Sequence, residues 1–282
     1  MFKKLIGSAR DSKRRKAIEE QVETVLLSRV PFLEGADYKL ISDLAEAIES
    51  VDYGKHEVIF KEGDIGDSFF LVVKGSVRVS SKGEDIADLG VGGCFGEGAL
   101  LTDEVRGATI TATEEATLFQ LKRDSFSGLT EKYLKVRFRL KELHSQRRAE
   151  GIKNSIERNL LENAPFLAGA SSDFINDLAQ ILIRKTYAKD EVLICEGAEG
   201  TTFFLIEEGV VGINKSGNQI AELGPGACFG EGSLLTKKPC SATVTALTET
   251  SCFIMESGPF SGILARYPVF GKKLLRVHAG RK

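Results

Sequence analysis

Short runs of β-branched and aromatic residues fill much of the chain, over residues 57–60, 68–73, 76–79 and 108–112. Glycine-bearing turns bound them at 63–66, 74–75, 82–83 and 90–93. Many short strands at close spacing between Gly-rich turns predict a small antiparallel barrel or jelly roll. Helical spacing stands on either side of this pattern. From Ile18 to about Leu27, apolar Val22, Val25 and Leu26 recur at that spacing, and residues 43–48 predict a short helix. Between Asp124 and Leu161, Val136, Leu140 and Leu143 form one apolar stripe, and Ile152, Ile156 and Leu160 form another. Gly151 lies between the stripes. A glycine inside a helix costs roughly 1 kcal/mol against alanine, so a bend is expected there.

The pattern then repeats. Phe95-Gly-Glu-Gly-Ala-Leu-Leu-Thr-Asp-Glu-Val-Arg106-Gly-Ala-Thr109 returns 134 residues on as Phe229-Gly-Glu-Gly-Ser-Leu-Leu-Thr-Lys-Lys-Pro-Cys240-Ser-Ala-Thr243. The same offset turns Pro31-Phe32-Leu33 into Pro165-Phe166-Leu167, Phe69-Phe70-Leu71 into Phe203-Phe204-Leu205, and Gly75 into Gly209. Solenoid units are far shorter, so this is a duplicated domain. The expected fold is α+β, mainly β: two tandem β-barrel or jelly-roll domains, each flanked by helices. The expected bounds are a basic tail and first helix over 1–28, a first domain over 29–150 and a second over 151–282.

Composition narrows the function classes. A chain of 282 residues suits two domains that each bury a core. Apolar content of 42% and charged content of 28% describe a soluble globular protein. A net charge of -2 gives no global attraction to nucleic acid or to an acidic membrane, so neither is expected as a partner. No apolar run reaches bilayer-spanning length, and the start is too short in apolar residues for a secretory signal. Cys94, Cys195, Cys228, Cys240 and Cys252 form no Cys-x-x-Cys pair and no metal-like spacing with the histidines. Reduced thiols in the cytoplasm, and no metal or other cofactor, are therefore expected. Cys94 and Cys228 are repeat equivalents and read as small buried hydrophobes. Phe32, Phe69, Phe70, Phe126 and their repeats read as core. His56, His144 and His278 show no paired spacing and are expected at the surface or at caps. The first 17 residues carry a net charge of +6, the mark of a solvated tail or an interaction arm.

The segment from Phe95 to Thr109 carries the candidate chemistry. Gly96 and Gly98 let the backbone approach a ligand closely. Ala99-Leu-Leu begins a short helix whose free N–H groups suit an anion. Arg106 supplies a planar, permanently charged fork for phosphate oxygens. Glu97 would repel phosphate, and makes sense beside it only as an acceptor for a sugar hydroxyl. Together they imply a nucleotide with one compact phosphate. No Walker lysine, Mg²⁺ carboxylate set or catalytic base accompanies them, so binding without turnover is expected and the chain is not read as an enzyme.

These residues resemble the phosphate-binding cassette of the cyclic-nucleotide-binding domain family, Phe-Gly-Glu-x-Ala-Leu followed by Arg-x-Ala-Thr. The resemblance covers both repeats, from about residue 32 to 282. It implies that Glu97 holds the ribose 2′-hydroxyl and Arg106 the cyclic phosphate, with Gly96, Gly98, Ala99, Gly107 and Ala108 supplying close backbone. In the second repeat Gly230, Glu231, Gly232, Ser233, Cys240, Ser241 and Ala242 take those positions. Cys240 stands where the arginine should be, so this cassette is degenerate. Losing a charge-assisted pair of about 1.5–3 kcal/mol should weaken phosphate binding by roughly one to two powers of ten. Glu231 is then a relic or still holds the ribose of a nucleoside.

The tandem arrangement is similar to the regulatory proteins of cyclic-nucleotide-dependent kinases, which implies a protein kinase catalytic subunit as partner. Arg14-Arg15-Lys16-Ala17-Ile18 resembles their pseudosubstrate inhibitor, with Ala17 offering no hydroxyl to phosphorylate. Only about 13 residues precede Arg14, so no amino-terminal dimerisation segment is expected. Gly107 lacks the hydroxyl that cGMP-selective sites often carry after the arginine, which favours cAMP, while residues 102–105 look more like a cGMP-kinase cassette. The alternatives are the regulatory segment of a cGMP-dependent kinase and a nucleoside-binding regulator. A transcription factor of the catabolite-activator type would need a helix-turn-helix for which too few residues remain. Tyr53, Tyr133, Tyr187 and Tyr267 are candidates to cover the purine. Leu100 and Leu101 are expected to pack on the helix carrying Val136, Leu140 and Leu143 only when the cassette loop closes on its ligand, coupling the cassette to it.

Overall fold

The computed structural model describes residues 16–18, 20, 29–102 and 104–280, and divides into two compact units, Met1–His144 and Ser145–Lys282. In the first, α1 (Tyr38–Ala47) leads into β1 (Glu49–Tyr53), β2 (Val58–Phe60), β3 (Ser68–Lys74), β4 (Val77–Ser81), β5 (Glu84–Leu89) and β6 (Cys94–Phe95). The short α2 (Glu97–Leu101) precedes β7 (Thr109–Ala112) and β8 (Ala116–Lys122), and α3 (Arg123–Lys132) and α4 (Leu134–Ser155) follow. Asp37 caps α1 by accepting from the Leu40 amide at 2.8 Å. The strands form two antiparallel four-stranded sheets, β1-β8-β3-β6 and β2-β7-β4-β5, which is the two-sheet jelly roll that the strand pattern predicts.

β3 explains how one short strand serves two cores. Side chains alternate across a strand, and β3 is buried on both faces. Phe69 and Leu71 join Phe32, Leu40, Phe126 and Leu140 on the helix side. Phe70 and Val72 join Val77, Phe95 and Leu118 inside the barrel. The aromatic residues expected in the core are there, as are Cys94 and Cys228.

The second unit has the same order: α5 (Ser172–Ile181), β9 (Ile183–Tyr187), β10 (Val192–Ile194), β11 (Thr202–Glu208), β12 (Val211–Lys215), β13 (Asn218–Leu223), β14 (Cys228–Phe229), α6 (Glu231–Thr236), β15 (Thr243–Ala246), β16 (Thr250–Glu256), α7 (Ser257–Arg266) and α8 (Pro268–Ala279). Its sheets, β9-β16-β11-β14 and β10-β15-β12-β13, match the first pair strand for strand. Two expectations need correction. The units meet at His144/Ser145, within α4, rather than at 150/151. α4 also runs through Gly151, and the departure from α geometry comes afterwards, as a π turn over Ile156–Leu160. Glycine lowers helix propensity without removing the backbone donor, so it does not by itself break a helix. Among the described residues no helix is long and apolar enough to cross a membrane.

One polar cluster belongs to the second unit alone. Buried Glu207 takes the place of Val73 in the repeat and accepts from Arg184 Nε at 2.8 Å and Nη2 at 2.6 Å. It also accepts from Ser155 Oγ at 2.6 Å and Ser251 Oγ at 2.8 Å. A buried carboxylate tolerates removal from water only with such a set of partners. Replacing Glu207 by alanine should destabilise the second unit by about 3 kcal/mol, read as a lower denaturant midpoint for that unit's transition; an unchanged midpoint would mean the network contributes nothing.

Candidate ligand-binding site

The first cassette is built around Arg106. It follows a turn whose backbone is tied back to the loop before β3, with the Arg106 amide donating to Asp64 O at 2.8 Å and the Gly63 amide to Arg106 O at 2.8 Å. The side chain is 3% exposed. Nη1 donates to Gly96 O at 2.8 Å and Nη2 to Ser68 O at 2.7 Å. The guanidinium lies over the Phe60 ring at 4.1 Å, a cation–π contact, with Asp67 at 3.9 Å. Burial pulls its pKa below the ordinary arginine value, and nearby Asp67 and Glu97 oppose that pull. Nε is buried and has no hydrogen-bond partner among the described residues.

The Arg106 side chain is one of those lining a cavity of about 450 Å³, with Tyr53, Ile59, Phe60, Asp64, Ile65, Asp67, Phe70 and Gln120. Three local features keep it open. Gly96 caps α2 with φ 86°, a left-handed conformation that leaves its carbonyl facing Arg106. Gly66 has no room for a side chain, since a Cβ there would lie 2.3 Å from Ala99 Cβ and 3.2 Å from Arg106. Arg123, at the start of α3, donates to Gly66 O at 2.6 Å and Ala99 O at 3.0 Å, pinning loop and cassette together. The structure thus brings Gly96, Glu97, Ala99 and Arg106 into one place. Glu97 is 3% exposed and lies outside the cavity lining. Gly107 and Ala108 follow Arg106 on the way to β7 and are less buried than it.

Sequence reasoning missed Phe60, Gly66, Ser68, Gln120 and Arg123. Ser68 and Phe60 are far from Arg106 in sequence, and Ser68 acts through its backbone carbonyl, which no residue type announces. Of the tyrosines, Tyr53 lines the cavity. Tyr133 does not: its hydroxyl donates to Asp43 at 2.5 Å. Tyr267 likewise donates to Asp177, and Tyr187 is buried in the second barrel core. Leu100 and Leu101 pack against the helix-side core.

The second cassette keeps the backbone and loses the charge. Gly230 again caps its helix in the left-handed region, at φ 81°. Cys240 is buried with Sγ 3.3 Å from Ser233 Oγ, and a Cβ on Gly200 would collide with Ser233 at 2.3 Å. The surroundings change in step: Phe60 becomes Ile194, Asp64 Ala198, Asp67 Thr201, Gln120 Ile254 and Arg123 Ser257. Glu231 remains, buried, and Ser241 and Ala242 lead into β15.

Two expectations change here. His144 and His278 are repeat equivalents, 134 residues apart, and each packs against the second glycine of its cassette rather than at a cap or on open surface. In the tail, Arg14 and Arg15 lie outside the described residues. Lys16–Ile18 is helical, Ala17 is exposed, and Ile18 is buried among the helix-side core residues of the first unit. Ile18 places its side chain in that core, where its apolar surface leaves water.

Residues 50–133 and 184–267 both match the model described as cyclic nucleotide-binding domain. The chain belongs to that family. Among curated relatives, a cAMP-dependent protein kinase regulatory subunit of Yarrowia lipolytica is 30% identical over 249 residues, 87% of this chain and 62% of that protein. A cGMP-dependent protein kinase of Eimeria tenella is 28% identical over 75% of this chain and 20% of its own length. This chain therefore spans less than two thirds of such relatives. Solved structures similar to it include the regulatory domain of Toxoplasma gondii PKA with cAMP, at 21% identity and TM-score 0.43, covering 96% and 98% of the two chains. Another is a Trypanosoma cruzi regulatory subunit bound to guanosine, at 23% identity and TM-score 0.41, covering 93% and 87%.

The geometry predicts an all-or-none second site. Cys240→Arg alone should leave phosphate binding there weak, because the new guanidinium would lack the Phe60 ring and the Arg123 clamp. Adding Ile194→Phe and Ser257→Arg should gain at least tenfold in cAMP affinity by calorimetry, and equal affinity of the single and triple variants would contradict the account.

Proposed function

We propose that this chain is a cyclic-nucleotide-sensing regulator whose first domain binds cAMP and whose second domain does not hold a cyclic phosphate tightly. The observation that carries the reading is the Arg106 guanidinium, buried, held by two backbone carbonyls and lining a nucleotide-sized cavity. A cation so fixed is preorganised for one anionic group and adds little reorganisation on binding. Gly107 leaves no hydroxyl beside it, which favours adenine over guanine in the ligand. Nothing in this site performs chemistry on the ligand.

The output is a protein kinase catalytic subunit in the cytoplasm, inhibited through Arg14, Arg15, Ala17 and Ile18 and released when cAMP binds. The buried position of Ile18 sets a condition on this role: withdrawing it from the core costs about 1.5–3 kcal/mol, which the kinase contact has to offset. A second reading applies to the second domain. With Cys240 and Ile254 replacing Arg106 and Gln120 and Glu231 retained, a nucleoside suits that site better than a nucleotide.

Titration calorimetry with cAMP, cGMP and inosine tests these assignments. One tight cAMP site per chain is expected, weakened roughly ten- to hundredfold by Arg106→Lys because lysine lacks the planar fork; two equal tight sites would overturn the reading. Arg14→Ala with Arg15→Ala should abolish inhibition of the kinase at unchanged cAMP affinity, and inhibition as strong as the parent's would remove the tail from the mechanism.

A further inference from the structure

Gln120 on β8 stands opposite Phe70 on β3 and diagonal to Ser68, which lies two residues earlier on the same face of that strand. A long side chain spans that diagonal, and Gln120 Nε2 donates to Ser68 Oγ at 2.8 Å. Ser68 Oγ donates in turn to Asp67 Oδ1 at 2.9 Å. Chemistry fixes the direction of both bonds. An ionised carboxylate only accepts, so the single hydroxyl proton goes to Asp67 and the oxygen accepts from the amide. Ser68 is 1% exposed, and its carbonyl accepts from Arg106 Nη2 at 2.7 Å. One buried residue therefore joins the cassette arginine to a glutamine and an aspartate.

Asp67 is a competitor for the arginine. Its Oδ1 lies 3.9 Å from Arg106 Nη2, near enough for attraction and too far for a hydrogen bond. The Asp67 side chain is 86% exposed, so packing does not hold it back. A carboxylate free to turn would close on the guanidinium as a charge-assisted pair and occupy the fork that a phosphate needs. The Ser68 hydroxyl gives that oxygen a nearer partner, and Gln120 sets the direction in which the hydroxyl points. Where Cys240 replaces the arginine, Asp67, Ser68 and Gln120 become Thr201, Thr202 and Ile254, and the chain of glutamine, serine and aspartate is gone. Tyr53 and Phe70, which line the same cavity, persist as Tyr187 and Phe204. The chain goes with the cation and not with the barrel.

We propose that Gln120 is a positioning residue for phosphate recognition: by directing the Ser68 hydroxyl to Asp67 it keeps that carboxylate off the Arg106 guanidinium and leaves the cation open to an anionic ligand. This rests on the reading that Arg106 holds the cyclic phosphate. Gln120 acts through Ser68 and Asp67, and its effect on affinity exists only while Asp67 is there to compete.

The test is a double-mutant cycle in the full chain. Gln120→Ile introduces the residue that the second unit carries at the same strand position, so the barrel accommodates it. It should weaken cAMP about tenfold by calorimetry, and Gln120→Met, which is unbranched and has no donor, should act alike. With Asp67→Ala already in place, the same substitutions should change cAMP affinity by less than about twofold, because no carboxylate is left to compete. A loss that survives Asp67→Ala would make Gln120 a packing or direct ligand contact, and unchanged or tighter cAMP binding in the Asp67 chain would deny it any positioning role. A second arm needs no ligand: Gln120→Ile should shift the guanidinium ¹⁵N resonances of Arg106 when Asp67 is present, and unmoved resonances would overturn the proposal. If the parent chain binds no cAMP, the cyclic-nucleotide reading fails, and the resonances alone then decide whether Gln120 governs the approach of Asp67 to Arg106.

Discussion

A guanidinium keeps its proton in a protein interior, so burying one demands fixed acceptors close at hand. Arg106 meets that demand with the carbonyls of Gly96 and Ser68 and the face of Phe60. Each acceptor in turn imposes a constraint. Gly96 has to be left-handed, Gly66 has to lack a side chain, and the start of β3 has to present Ser68 toward the cassette. Arg123 holds the two loops at the spacing that results. Three of the cation's needs are thus met by protein, and the same guanidinium lines the cavity.

The second unit shows what remains when that demand is lifted. Without a buried cation there is no use for an aromatic face, for acidic groups that favour the charged form, or for a second arginine to hold the loops. Ile194, Ala198, Thr201 and Ser257 stand in those places, and Cys240 with Ser233 fills the gap. The barrel is unaffected, because its two cores are formed by alternate faces of the same strands and do not involve the cassette charge. Fold and the buried cation are therefore separable in this architecture, and the second unit carries the first without the second. The polar stabilisation found there lies elsewhere, at Glu207 and Arg184.

Much of this was legible in the sequence because it is local or periodic. The continuous apolar run of β3, the helix stripe through Val136 and Leu140, and the whole cassette are written in nearby residues. The partners of Arg106 were not, since Ser68 contributes a carbonyl and Phe60 lies on another strand. Gly98 lies against a histidine from a helix more than forty positions later, a contact that no local pattern announces. The histidines themselves were missed because pairing was sought at short, metal-like spacing, whereas theirs is the spacing of the repeat. Ile18 read equally well as the end of a basic peptide or the start of a helix, and burial favoured the helix because that is where its apolar surface leaves water.

The most direct test of the central claim is a crystal structure of the chain with cAMP. The account predicts the cyclic phosphate within hydrogen-bond distance of the Arg106 guanidinium, the nucleotide in the cavity that Tyr53 and Phe60 line, and no cyclic phosphate bound at Cys240. A nucleotide seated in the second unit with the first empty, or a phosphate held away from Arg106, would contradict it.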